Sequence, residues 1–204
     1  MATKRTLSEA ETLEQYRVAL ENTETQTEIA TLMAEFGYDE TLLTEGKTLL
    51  TKTREGFDLN KTEDNETTVA YNNFTTTKEN LAKVYSLHRK KGKVIFRKDE
   101  PVLKNLGLKG SLPSAYIKWL ETVKKFYAVA VGNSEIETKL ARLKVTPAEL
   151  QETVVLITSL ETARAEYLKE KGESQDATKS KDKAFAEIDD WMSEFYAVAK
   201  IALE

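Results

Sequence analysis

Residues Tyr16–Leu32 recur 111 positions later as Tyr127–Leu143, with the same residue at eight of 17 positions. The identities are Tyr16/Tyr127, Val18/Val129, Ala19/Ala130, Asn22/Asn133, Glu24/Glu135, Thr27/Thr138, Ala30/Ala141 and Leu32/Leu143. Two amphipathic helices that align only by composition do not share so many. A chain that carries one helical stretch twice is expected to build one local element twice. Four extra residues in the first copy, about one helical turn, then shift the offset to 107 from Asp39 onward. Across that second stretch Leu43/Leu150, Leu49/Leu156, Leu81/Ile188 and Phe96/Leu203 keep apolar against apolar, and Asp39 aligns with Thr146, two good N-cap types. The pattern predicts an all-α fold made by tandem duplication of a helical unit.

The apolar spacing is helical throughout. Thr6 and Glu9 read as a capping box for a first helix through Leu13, Tyr16, Leu20, Ile29, Met33 and Phe36, ended by Gly37. Asp39 opens the next, with Leu42, Leu43, Leu49, Leu50 and Phe57 on one face. In the second copy Pro113 suits a first turn, and Thr146-Pro147-Ala148-Glu149 joins a capping box to an N1 proline. The expected organisation is repeat 1 over residues 1–98, a linker with a short helical turn over 99–112, and repeat 2 over 113–204.

Two polar stretches leave alternatives open. Residues 60–68 and 169–176 carry Asn, Asp, Thr, Gly and Ser, which stop and start helices, and on that ground they are expected to be hairpin tips. Each copy would then be an up-down-up three-helix unit. The alternative is a pair of very long helices, because the heptad phase carries across: Ile157 and Phe185 are 28 residues apart, Tyr167 and Ile188 are 21. Three-helix units of this length, with Trp119 and Trp191, resemble spectrin-type repeats in proportion. The ending Asp190-Trp191-Met192-Ser193-Glu194-Phe195 resembles the tail of uncharacterised bacterial helical proteins, a resemblance that implies no activity.

Chemistry has little to work with. With no cysteine there are no disulfides or thiolate ligands, and one histidine, His88, excludes a His-based metal cluster or catalytic triad within one chain. The glycines never cluster into a phosphate-binding loop. His88 reads as a half-buried helix residue, and Tyr116, Trp119, Phe126, Tyr127, Trp191, Phe195 and Tyr196 read as core at helical spacing. The sequence thus predicts no catalytic residues, no metal and no cofactor. Lacking a leader-like apolar run and any stretch of about 18 apolar residues, the chain is expected to be soluble and cytoplasmic, with no membrane span.

Charge is the uneven feature. Residues 83–125 hold 12 basic and three acidic residues, net +9, while 1–82 and 126–204 are net −8 and −5. The densest part comprises Arg89, Lys90, Lys91, Lys93, Arg97 and Lys98. Its bland role is to complement a helix dipole and the acidic flanks. Its functional role would be to dock an anionic partner (acidic protein, nucleic acid or phospholipid) through residues 89–109. A sequence pI near 5.4 makes nucleic acid the unlikely one. The reading is a non-enzymatic helical scaffold or protein-interaction protein, self-associating or bound to a protein partner.

Overall fold

A computed structural model describes residues 7–204 and contains helices and no strand among them. The helices are α1 (Glu9–Thr25), α2 (Thr27–Glu35), α3 (Glu40–Ile95), α4 (Glu100–Asn105), α5 (Tyr116–Ala130), α6 (Ser134–Ala141) and α7 (Pro147–Ala202). The protein is all-α. No helix among the described residues is long and apolar enough to cross a membrane.

The caps follow the local sequence. Thr6 lies outside the described residues, and the capping box at the start of α1 is formed by Ser8 and Glu11 instead. Asp39 accepts the amide hydrogens of Thr41 and Leu42 at the start of α3. Thr146 and Glu149 cap each other's backbone at the start of α7. Gly37 ends α2 at φ +90°, a left-handed conformation open to glycine at no steric cost. Pro113 precedes α5 rather than opening it, since that helix starts at Tyr116. The repeated stretch is broken in both copies at non-equivalent places: at Gln26 in the first, and at Val131–Gly132–Asn133 in the second, where Asn133 caps α6.

The hairpin tips expected at 60–68 and 169–176 are overturned. Both stretches lie inside helices, and α3 and α7 each run for 56 residues. The spectrin-like three-helix proportion falls with them. Two physical features keep these polar segments helical. Thr62 in the first stretch, and Thr178 just after the second, turn their hydroxyls back onto the carbonyls four residues earlier, so these side chains are satisfied without leaving the helix. The heptad positions are also still filled, by Asn60, Ala70, Glu170 and Ala177, all buried.

The chain divides into two compact units, 1–66 with 170–204 (unit 1) and 67–169 (unit 2). Each takes roughly half of each long helix. In unit 1, α3 and α7 pack antiparallel: Thr53 donates to the Ala184 carbonyl at 3.1 Å, Asn60 to the Thr178 hydroxyl at 3.1 Å, and Ser174 to Asp64 at 2.6 Å. Gly46 leaves room for the Trp191 ring. The core there gathers Leu20, Met33, Tyr38, Leu43, Ile188, Met192 and Phe195, with Leu13, Phe57 and Phe185 beside them. Unit 2 has a larger core around Leu81, Tyr85, Phe96, Trp119, Phe126, Tyr127, Leu140 and Ile157.

Candidate functional site

The six basic residues singled out in the sequence divide into two groups. Arg89, 7% exposed, is a structural residue: its guanidinium donates to the carbonyls of Gly107 at 2.8 Å and Gly110 at 2.9 Å. It ties the segment after α4 to α3, and both glycines sit at positive φ. Lys93 reaches the same Gly110 carbonyl at 3.3 Å, and Lys91 reaches the Lys144 carbonyl at 3.2 Å. Lys90, Arg97 and Lys98 point outward.

Arg97 and Lys98 converge with a cation that sequence proximity did not suggest, Arg142, just after α6. Together with Val94, Ile95 and Leu143 they line an open groove of about 330 Å³ in unit 2. No carboxylate lines it. Val94 is 55% exposed and Leu143 38%, so the groove offers an apolar floor between three guanidinium or ammonium groups. Isolated exposed apolar residues are ordinary; two of them framed by three cations make a composite surface. In the sequence Arg142 stands 44 residues beyond Lys98, and only the packing of α6 beside the end of α3 joins them.

The only histidine is part of the unit 2 core. His88 Nδ1 lies 2.9 Å from the Tyr127 hydroxyl. Burial holds the His88 pKa below the ordinary histidine value, opposed by Glu149 and reinforced by Lys91. An imidazole this buried, paired with a core tyrosine, is a structural group. Here the expectation of a half-buried residue understates its burial, since His88 is only 4% exposed.

Among the described residues, those able to hold a metal are Glu63, Glu66 and Glu170 in unit 1, whose carboxylate oxygens lie within 4.8 Å of one another. Each would give one oxygen to a hard cation such as Ca²⁺ or Mg²⁺. Glu170 is buried, Glu63 half-buried and Glu66 exposed, and three oxygens alone leave a hard cation's coordination incomplete.

The two units carry opposite charge. Unit 1 has 12 Lys and Arg against 24 Asp and Glu, net −12; unit 2 has 18 against 10, net +8. The contrast concentrates in two runs. Residues 80–98 carry seven Lys and Arg with no Asp or Glu, and residues 18–46 carry seven Asp and Glu with no Lys or Arg. No family model matches the chain, and neither does a curated protein or a solved structure.

Proposed function

We propose that the chain is a non-enzymatic protein-interaction protein that docks an acidic, amphipathic protein segment in the groove of unit 2. The observation that carries this reading is the convergence of Arg97, Lys98 and Arg142 around the exposed Val94 and Leu143. Cations alone would attract any polyanion. An apolar floor between them adds a demand for a partner with apolar side chains among its carboxylates, which a bare phosphate backbone lacks. Arg89 has no part in this surface, and the docking patch proposed from sequence contracts to Arg97 and Lys98, extended by Arg142 and flanked by Lys90.

The test is binding of a fluorescent helical peptide bearing Glu at i and i+7 with Leu and Phe between. Wild-type protein should bind it at about 50 mM salt and release it as salt rises, because exposed charges are screened over about 10 Å at 0.1 M. The triple change Arg97→Glu, Lys98→Glu, Arg142→Glu should weaken binding at least tenfold while leaving the melting temperature nearly unmoved, since none of the three is buried. Equal affinity in wild type and variant would remove the groove as the docking site. Preference for heparin over the peptide would point to a polyanion and against an amphipathic protein partner.

A further inference from the structure

The occupant of this groove can be named from the chain itself. We propose that α2 of a second copy docks in the groove of unit 2, joining copies head to tail; this rests on the docking reading above.

The charge and apolar pattern of α2 complements the groove. Glu28 and Glu35 lie seven residues apart, on one face of the helix. Leu32 lies between them on that face and Phe36 follows at the C-cap, half-buried and 49% exposed respectively. Two carboxylates with Leu32 between them and Phe36 beyond meet three cations beside Val94 and Leu143. The helix is nine residues long, about 13 Å at 1.5 Å per residue, short enough to lie in a groove of this size as helix-in-groove recognition requires. Behind the local match stand the net charges, −12 for the unit that presents α2 and +8 for the unit that presents the groove. Approach of unlike units is favoured and approach of like units opposed.

Such a contact is heterologous. The surface used on one copy differs from that used on the next, so an open assembly keeps one free α2 and one free groove at its ends, and it either closes into a ring or extends as a filament. The buried patch is small, which places the contact among weak associations that need high protein concentration.

Sedimentation of the 204-residue chain at about 200 µM tests this. At 50 mM salt the wild type should show mass above the monomer that grows with concentration, and at 500 mM salt it should be monomeric. Two variants are then made, Arg97→Glu with Arg142→Glu, and Glu28→Lys with Glu35→Lys. Each alone should be monomeric, because one half of every contact repels the other. Mixed in equal amounts they should associate again, because the first supplies an intact α2 and the second an intact groove, and the reversed face of each is complementary to the reversed face of the other. A wild type that stays monomeric at low salt, a variant that associates as wild type does, or a mixture that stays monomeric would each overturn the proposal. The peptide experiment separates the two readings: a monomeric wild type that binds the peptide loses the second copy and keeps the groove. If either charge variant misfolds by circular dichroism, Lys98→Gln and Phe36→Ser replace them in the same mixing scheme, with mutual rescue again required.

Discussion

Arg89 and His88 are neighbours on α3, and each is a polar side chain that the core of unit 2 holds in one state. The Arg89 guanidinium donates to two carbonyls of a segment that has no regular structure to satisfy them. Replacing it with Met removes charge-assisted bonds worth roughly 1.5–3 kcal/mol and leaves those carbonyls less satisfied. We expect Arg89→Met to lower unfolding stability by about 2–4 kcal/mol in urea melts, while Lys90→Met one residue later changes it by less than about 0.5 kcal/mol. His88 gives a pH signature. Its folded pKa is depressed, so below the ordinary value of about 6.5 the unfolded chain binds a proton that the folded chain refuses. Stability from this group is therefore complete above pH 6.5. It falls as pH drops below that value, by up to about 1.4 kcal/mol per unit, until the folded pKa is reached. Carboxylates held low, such as Glu149 at its cap, respond only at more acid pH. Urea melts at pH 7.5 and 5.5 should show the loss in the wild type and a flat response in His88→Gln. With a single histidine in the chain, no other imidazole can mask the effect.

At the scale of elements, the long helices show how weak a stop signal is against a filled heptad. Gly172 sits inside α7 with nothing within 4 Å of where a Cβ would stand. Its flexibility costs about 1 kcal/mol relative to alanine, a cost that a 56-residue helix packed along its length absorbs. Gly172→Ala should accordingly raise unfolding stability by about 1 kcal/mol, whereas a turn there would make the change neutral. Inserting one alanine after Gly172 should do the opposite. It rotates all that follows by about 100°, carrying Ala177, Ala184, Phe185 and Ile188 off the buried face, and should cost more than about 3 kcal/mol in urea melts. Gly46 has a different reason to be glycine. The Trp191 ring lies against it, so Gly46→Ala pushes the indole away and should destabilise by about 1–3 kcal/mol despite alanine's better helix propensity.

For the whole molecule, the two units differ most in charge, and no shared element explains the difference. Both take part of α3 and part of α7, and both bury an aromatic core of Tyr, Phe and Trp, with Tyr38 edge-on to Phe195 in one and Tyr85 edge-on to Phe126 in the other. Surface charge is under no such packing demand. Reversing Lys90, Arg97 and Lys98 together should therefore move the melting temperature little, because these exposed side chains make no ion pair among the described residues, and exposed pairs contribute at most about 1 kcal/mol. A large drop in melting temperature would instead assign the basic run to folding, as the complement of the chain's own acidic flanks.

The all-helical class was legible in the sequence because helical periodicity, sparse proline and glycine, and the caps at Asp39 and Thr146 are local properties, carried by residues within a turn or two of one another. The correspondence of Tyr16–Leu32 with Tyr127–Leu143 was equally visible, although the two stretches break at different points. Whether 60–68 and 169–176 turn or continue was not legible. Asn, Thr and Gly do either, and the choice lay with partners more than 100 residues away, such as Thr178 for Asn60 and Asp64 for Ser174. The candidate site divides in the same way. A basic run is a count along the chain, so Arg97 and Lys98 could be named from it. Arg89 could not be told from them, because its burial depends on two carbonyls brought back by the segment after α4. Arg142 joined them only when α6 packed beside the end of α3. Local sequence determined which residues are helical and charged, and tertiary packing decided which of those charges are buried and which stay exposed, because burial is settled by contacts that sequence distance does not encode.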